Sequence, residues 1–561
     1  MSETQIASSP ANLVDRHREL LDRAMQAVRE RTYWSAYPEH PKAYGGEAMP
    51  SAETAFQALL GSPFELETPG ATDTVGGERS PYGIELGVTY PHVTDLDTLL
   101  AAARSGMPAW RDAGPAARAA VCVEVLARIN ARSFELAHAV MHTTGQAFMM
   151  AFQAAGPHAQ DRALEAVAYA LAEMTKLPST ARWEKPQGKR DPIVLDLRYT
   201  VVPRGVAMVV GCSTFPTWNG YPGLFASLVT GNAVVVKPHP RAVLPLAISV
   251  QVAREVLAEA GFDPNLVTLA PEAPGEGLAK TLAVRPEIKI IDFTGSTAFG
   301  VWLEDTATQA LVYTEKAGVN TVVIDSTDDY AGMLANLAFS LSLYSGQMCT
   351  APQNFLLPRD GIPTDAGPKS ADEVAQDLAA AVDHLLGDPA RGVEITGALV
   401  SDDVRERADG AGSHGTVVRE ASPLAHPRFA DATIRTPAII KVDAADSEAY
   451  LTECFGPVAF MITTDSTEQS LQVLHDGVAE HGGLTASIYS TDERVLARAE
   501  EVALQIGVLL SENLTGGVYV NQTAAFSDLH GTGFNPAANS VYTDAAFVAN
   551  RFRVVEFRRP A

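Results

Sequence analysis

At 561 residues, with 46% hydrophobic and 19% charged residues, the chain is too long for one core and too apolar for disorder, so two or three domains are expected. A formal net charge of −25 opposes nucleic acid or an anionic membrane as a partner through long-range repulsion. Four cysteines, Cys122, Cys212, Cys349 and Cys454, contain no CxxC pair and point to neither a disulfide framework nor a zinc site, so a reducing cytoplasm and no metal are expected.

The polar stretch Met1 to Asn12 lacks the charged and apolar parts of a secretion signal, and no apolar run is long enough to span a membrane, so a soluble, unexported protein is expected. From about Asn12 to Lys176 the chain reads as helices. Val14 to Arg31, Ala116 to Asn130 and Asp161 to Lys176 carry apolar residues at spacings of three and four, the mark of helices packed on a neighbouring layer. After the basic stretch Arg182 to Arg190, Ile193 to Val202 reads as extended and stops at Pro203.

Strands and helices then alternate. Strands are predicted at Val206 to Gly211, Ala233 to Lys237, Asn265 to Leu269 and Ile288 to Phe293, and helices at Gly220 to Val229, Leu246 to Ala260, Pro274 to Val284 and Ala298 to Ala310. Near-continuous apolar strands in such alternation imply a parallel sheet covered on both faces. Past Asn320 a second α/β region opens with the strand Thr321 to Ile324 and the helix Tyr330 to Leu343, and Cys349 follows just beyond the helix. This is the expected catalytic domain. It runs to about Phe526, with helices and loops from Ala371 to Arg407, and the tail from Ala546 to Phe557 is expected to pair with the extended segment near Leu195.

GxxxxGK[ST], HExxH and GxSxG are all missing, which weakens the enzyme classes they mark. Phe293-Thr-Gly-Ser-Thr-Ala-Phe-Gly300 follows an apolar strand and opens a helix. Its glycines would let a phosphate approach backbone N–H groups at the positive helix end, although a plain turn has the same pattern. Asn232-Ala-Val-Val-Val-Lys-Pro-His-Pro240 ends a strand in Lys237, at the sheet edge where ligands sit in open α/β folds, although a solvated lysine reads equally well. In Thr452-Glu-Cys-Phe-Gly-Pro457, Glu453 reads as a surface or a site carboxylate, and Phe455 as core or site. Cys349 lies in Tyr344-Ser-Gly-Gln-Met-Cys-Thr350 among small residues, Ser345, Gly346 and Thr350, which leave room for a substrate carbon to reach its sulfur. Glu315, in Tyr313-Thr-Glu-Lys-Ala-Gly-Val-Asn320, precedes it by 34 residues and offers a base.

The order strand-Lys-Pro, FTGS, Glu-x-x-Gly, Gly-Gln-x-Cys and Glu-x-Phe-Gly-Pro resembles the aldehyde dehydrogenase superfamily from about Met107 to Val555. The resemblance implies an α/β fold with a Rossmann-like NAD(P)-binding domain at 203–316, a catalytic domain at 317–526 and a small β oligomerisation arm at 191–202 and 546–561. It also implies a helical N-terminal part of the cofactor domain at 1–190 and a return to that domain at 527–545. By motif, Cys349 would be the nucleophile and Glu315 the general base. Lys237 would hold the adenosine ribose, Gly295, Ser296 and Gly300 the pyrophosphate turn, and Glu453 the nicotinamide ribose, with Phe455 packed beside the nicotinamide. A homodimer or homotetramer is implied.

Four positions depart from the family pattern. Thr214, in Gly211-Cys-Ser-Thr-Phe-Pro216, stands where an asparagine amide ordinarily helps bind the oxyanion, and losing such a donor costs about 3 kcal/mol unless another group, Asn219 or the Cys349 backbone N–H, substitutes. Pro240 leaves no carboxylate locally to repel a 2′-phosphate, and His239 and Arg241 would attract one, so the expectation is NADP ahead of NAD. Lys-Ala-Gly follows Glu315 in place of Leu-Gly-Gly. Cys212 is read as structural. FPTWNGYP, EKAG, YSGQMCTAPQN and the long N-terminal extension resemble most the PaaN subfamily of phenylacetic acid degradation, aldehyde dehydrogenases of a ring-opening pathway. That implies a semialdehyde substrate, with a coenzyme A thioester as one form. The two rival readings are a dehydrogenase that passes the acyl group to free coenzyme A and a catalytically silent nucleotide-binding subunit.

Overall fold

The computed structural model describes residues 9–561, and the first eight residues of the polar N-terminal stretch lie outside it. Helix α1 (Pro10–Glu30) buries Leu13, His17, Leu21, Ala24, Ala27 and Val28, the spacing that puts one stripe on a neighbour. It packs on the helix Gly114–Ala131, and Arg16 and His17 reach Glu124 at 3.0 and 2.8 Å. The all-helical expectation for this region fails at two short β-branched stretches, β1 (Ala71–Gly76) and β2 (Thr89–Val93), which pair antiparallel. Neither carries the three-and-four spacing of a helix.

The basic stretch Arg182 to Arg190 is itself mostly strand. β3 (Thr180–Gln187) turns through Gly188, at φ 66°, into β4 (Arg190–Pro203), and the last strand of the chain, β17 (Phe552–Pro560), pairs antiparallel with β4 from Phe552 opposite Pro203 to Pro560 opposite Leu195. The pairing read from the sequence near Leu195 is therefore present, in a three-stranded arm ordered β17-β4-β3.

Five parallel strands form the first large sheet: β5 (Val206–Val210), β6 (Ala233–Lys237), β7 (Val267–Leu269), β8 (Ile288–Thr294) and β9 (Leu311–Glu315), ordered β7-β6-β5-β8-β9. Every residue of β5, β6 and β7 is buried, which explains their largely apolar sequences. Burial of each such valine or leucine is worth about 1.5–3 kcal/mol. The predicted helix Pro274 to Val284 starts only at Leu278, because Gly275 and Gly277 both adopt φ near +80°, outside helical geometry. β9 had no strand assignment from sequence. Behind the sheet, Arg551 is fully buried and donates two hydrogen bonds to Asp292 of β8, at 2.7 and 2.5 Å, tying the C-terminal segment to the sheet.

The second large sheet has seven strands: β10 (Thr321–Ile324), β11 (Asn354–Pro358), β12 (Thr416–Arg419), β13 (Ala438–Asp443), β14 (Val458–Thr464), β15 (Thr485–Tyr489) and β16 (Leu509–Glu512). Their order is β12-β13-β14-β11-β10-β15-β16, parallel except for the β12 edge. Alternate residues feed separate cores on its two faces, Val322, Ile324, Phe355 and Leu357 on one and Val323, Leu356, Phe460 and Ile488 on the other, as the two-residue period of a strand requires. Phe526 and Phe547, beyond this sheet, pack into the core of the first. No helix among the described residues is long and apolar enough to cross a membrane.

Candidate active site

Glu315 is the last residue of β9, opposite Thr294, and Lys237 is the last of β6, opposite Val210. Both therefore stand on the carboxyl edge of one parallel sheet, where the fold leaves side chains free of the ladder. The Glu315 carbonyl accepts the Gly295 N–H at 3.0 Å. Its carboxylate is 3% exposed, with Oε1 accepting from Asn219 Nδ2 at 3.4 Å and Oε2 lying 3.0 Å from His530 Nε2. Burial opposes ionisation of Glu315, but His530 and hydrogen bonds from Cys349 and Asn219 outweigh it and hold the acid below the usual carboxylate range.

Cys349 comes from an irregular loop between the helix Tyr330–Ser342 and β11. Tyr344 and Ser345 adopt φ of 51° and 50°, left-handed values that cost about 1 kcal/mol or more apiece outside glycine. Hydrogen bonds fix the loop. Ser345 donates to the carbonyls of Thr396 and Arg435 at 3.1 and 3.0 Å, Gln347 bridges Val400 and Ala398, and Thr350 donates to Asn521 O at 2.7 Å. The small residues thus serve as buried anchors, which corrects the expectation that they leave open space around the sulfur. Asn320 donates to the carbonyls of Cys349 and Ala351 at 2.8 and 3.0 Å, while its own side-chain oxygen accepts from Leu484 and Thr485 of the neighbouring strand.

The half-buried Cys349 Sγ lies 3.8 Å from His530 Nε2, and ligand atoms of Glu315, Cys349 and His530 all fall within 4.8 Å of one another. Burial and the Glu315 carboxylate push the thiol well above its ordinary pKa, so the sulfur is protonated at rest and must lose its proton locally as it reacts. Cys212 is buried; its sulfur accepts from Phe215 N–H at 3.4 Å, lies 3.6 Å from Asn219 Oδ1, and is pushed up by burial. Thr214 is buried next to it, with its carbonyl accepting from Gln146 Nε2 at 2.8 Å. The Asn219 amide contacts Glu315 with its nitrogen and Cys212 with its oxygen, an arrangement that the expected oxyanion role did not foresee.

Lys237, His239, Gly295 and Ser296 follow the same edge, whereas Glu453 and Phe455 precede β14 of the second sheet. Lys237 is 4% exposed and its ammonium pairs with the Glu272 carboxylate. That acid comes from the loop beyond β7. His239 accepts the Arg241 N–H at 3.1 Å, and burial first, then Arg241 and Lys237, hold its pKa down to about 4. It is neutral at pH 7 and gives no charge to a 2′-phosphate, so two supports of the NADP expectation are lost. Gly295 and Ser296 lie at the exposed N-terminus of the helix Thr297–Thr306, where Ser296 caps Phe299 N–H at 3.4 Å. Gly300 is buried one turn further on. A Cβ there would meet the Lys316 side chain at 2.6 Å, so this glycine makes room for Lys316.

Glu453 and Phe455 line a small cavity with Gly318, Asn320, Met348 and Gln353, directly under the cysteine loop. Burial raises Glu453 to about 7, only partly offset by the Gly318 N–H and Arg407. The donor set fits a nicotinamide dinucleotide: an ammonium–carboxylate pair suits ribose hydroxyls, an open helix N-terminus suits a pyrophosphate, and Glu453 suits a second ribose. Sequence reasoning missed His530, Glu272 and the anchoring role of Asn320. Asn320 closed the quoted EKAGVN motif, whereas Leu529-His-Gly-Thr carries no periodic or motif signal.

The aldehyde dehydrogenase family model matches residues 86–542. A crystal structure of an NAD-dependent aldehyde dehydrogenase from Burkholderia multivorans is 58% identical, covers 98% of this chain and 99% of its own, and superposes with a TM-score of 0.96. Vanillin dehydrogenase of Pseudomonas fluorescens is 26% identical over 73% of this chain and 80% of its own length. Benzaldehyde dehydrogenase [NAD(+)] of Pseudomonas putida is 24% identical over 76% and 80%.

Proposed function

The chain belongs to the aldehyde dehydrogenase family, and from that premise we propose that it oxidises an aldehyde to its carboxylic acid with NAD, using Cys349 as nucleophile and Glu315 as base. The observation that carries the reading is the ionised Glu315 carboxylate, buried at the sheet edge within 4.8 Å of the Cys349 sulfur. As that sulfur bonds to the aldehyde carbon, its proton passes to Glu315 and a thiohemiacetal forms on Cys349. Bound nicotinamide supplies the hydride acceptor, with Lys237, Glu272, the helix N-terminus at Ser296 and Glu453 as the residues that would hold the dinucleotide. Once Glu315 has given the thiol proton up to solvent, it takes a proton from the water that opens the thioester left on Cys349, the carbon–sulfur bond breaks and the acid departs.

Water needs a base beside the thioester more than a thiol acceptor does, which favours hydrolysis over transfer to coenzyme A. The Glu272 carboxylate at Lys237 disfavours a 2′-phosphate and supports NAD. For the substrate we retain a semialdehyde from aromatic-ring catabolism, its coenzyme A thioester being one form. Two relatives named for aromatic aldehydes support that choice. We assign subunit contacts to the β17-β4-β3 arm, which exposes Trp183, Ile193, Val555 and Phe557. Four free cysteines agree with the cytoplasm.

Reduced cofactor followed by its absorbance, across aliphatic, aromatic and coenzyme A-linked semialdehydes, tests the reading. NADH should form without added coenzyme A, and Cys349→Ala should lose about 10⁴-fold or more of the rate. Strict dependence on coenzyme A, or equal rates in both proteins, refutes it.

A further inference from the structure

We propose that His530 is a positioning residue for hydrolysis, its Nε2–H holding the Glu315 carboxylate against Cys349 so that Glu315 takes the proton from the water that opens the thioester. This rests on the nucleophile and base assigned above and adds the group that orients the base. His530 and Glu315 are each 3% exposed, and Nε2 sits 3.0 Å from Oε2. The other ring nitrogen, Nδ1, is buried with no hydrogen-bond partner. A carboxylate only accepts, so Nε2 carries a proton and donates it to Glu315. With that proton in place Nε2 has no lone pair for the thiol, and its 3.8 Å separation from Sγ is a packing contact.

The ring is held from outside the reacting groups. Trp218 meets it edge to face at 4.6 Å, Tyr542 stacks on it at 6.2 Å, and the His530 carbonyl accepts the Tyr542 N–H at 2.9 Å. Asn219 occupies the opposite carboxylate oxygen at 3.4 Å, so Glu315 is held at both ends. Ligand atoms of the same three side chains lie close enough for a metal ion, but a metal-bound histidine ordinarily donates its second nitrogen to an acceptor, and Nδ1 here has none. In the step itself the water oxygen bonds to the acyl carbon and its proton goes to Glu315. The carbon–sulfur bond then breaks, and the departing sulfur recovers a proton from Glu315.

p-Nitrophenyl acetate tests this without aldehyde or cofactor: Cys349 displaces nitrophenolate, and hydrolysis of the acetyl-thioester follows. His530→Leu should release one nitrophenolate per active site in a burst and then turn over about 10- to 100-fold more slowly, the worth of one hydrogen bond to a charged group. His530→Gln, which keeps an N–H at similar reach, should restore most of the rate. The acidic limb of the turnover profile should move to higher pH in His530→Leu and return in His530→Gln, because the lost donor favours ionised Glu315. Unchanged turnover in His530→Leu, loss of the burst, an unmoved acidic limb, or His530→Gln no better than His530→Leu at an unchanged melting temperature overturns the assignment. If the wild type shows this pattern yet oxidises no aldehyde, the dehydrogenase reading fails and the role of His530 stands.

Discussion

Glu315 and Cys349 meet in one site but are placed by different physics. Glu315 ends a strand, so its position follows from the ladder of β9 on β8. Cys349 sits on a loop with two left-handed residues, held by the side chains of Ser345, Gln347, Thr350 and Asn320. Changing the strand-end side chain should therefore alter chemistry and leave the fold alone, whereas changing a loop anchor should cost stability first.

The largest effect separating the two regions is expected at Glu315→Gln. It should lower kcat by about 10²- to 10⁴-fold with only a small fall in melting temperature, because the contacts to His530 and Asn219 that weaken are offset by loss of the charge's burial cost. The same variant reports on the thiol. With Glu315 ionised, Cys349 is held well above its ordinary pKa, so alkylation of wild-type Cys349 by iodoacetamide should still climb as pH rises past 9. Glu315→Gln removes the negative neighbour, which lowers the thiol pKa and should bring the plateau to lower pH. A plateau near neutrality in the wild type would refute the raised thiol.

On the loop side, Asn320→Ala leaves the Cys349 carbonyl and two N–H groups of β15's entry without their side-chain partner. A loss of about 2–4 kcal/mol of stability is expected, read by denaturant melts. A variant with wild-type stability and lost activity would erase the contrast between the regions. The smallest effect belongs to the sheet edge. Glu272→Gln should raise the NADP-to-NAD ratio of kcat/KM by about tenfold, or ~1.4 kcal/mol, by removing the carboxylate that a 2′-phosphate would meet. An unchanged ratio would remove Glu272 from cofactor selection.

Much of this was legible in the chain. Near-continuous apolar runs announced β5, β6 and β8, and the tail pairing near Leu195 was read from alternation. β1 and β2 were missed because short strands in a helical context give weak periodicity. The loop around Cys349 was misread because small residues look like empty space until their partners, Thr396 and Arg435 for Ser345, are known.

Local sequence determined which side chains end strands, where the thiol and carboxylate sit and the order of the cofactor motifs, because burial period and turn chemistry are properties of neighbouring residues. Only the tertiary structure brought His530, 215 residues away, onto Glu315, Glu272 onto Lys237, and Asn219 between Glu315 and Cys212. Such meetings depend on how distant segments close over one another, and no short-range pattern encodes that.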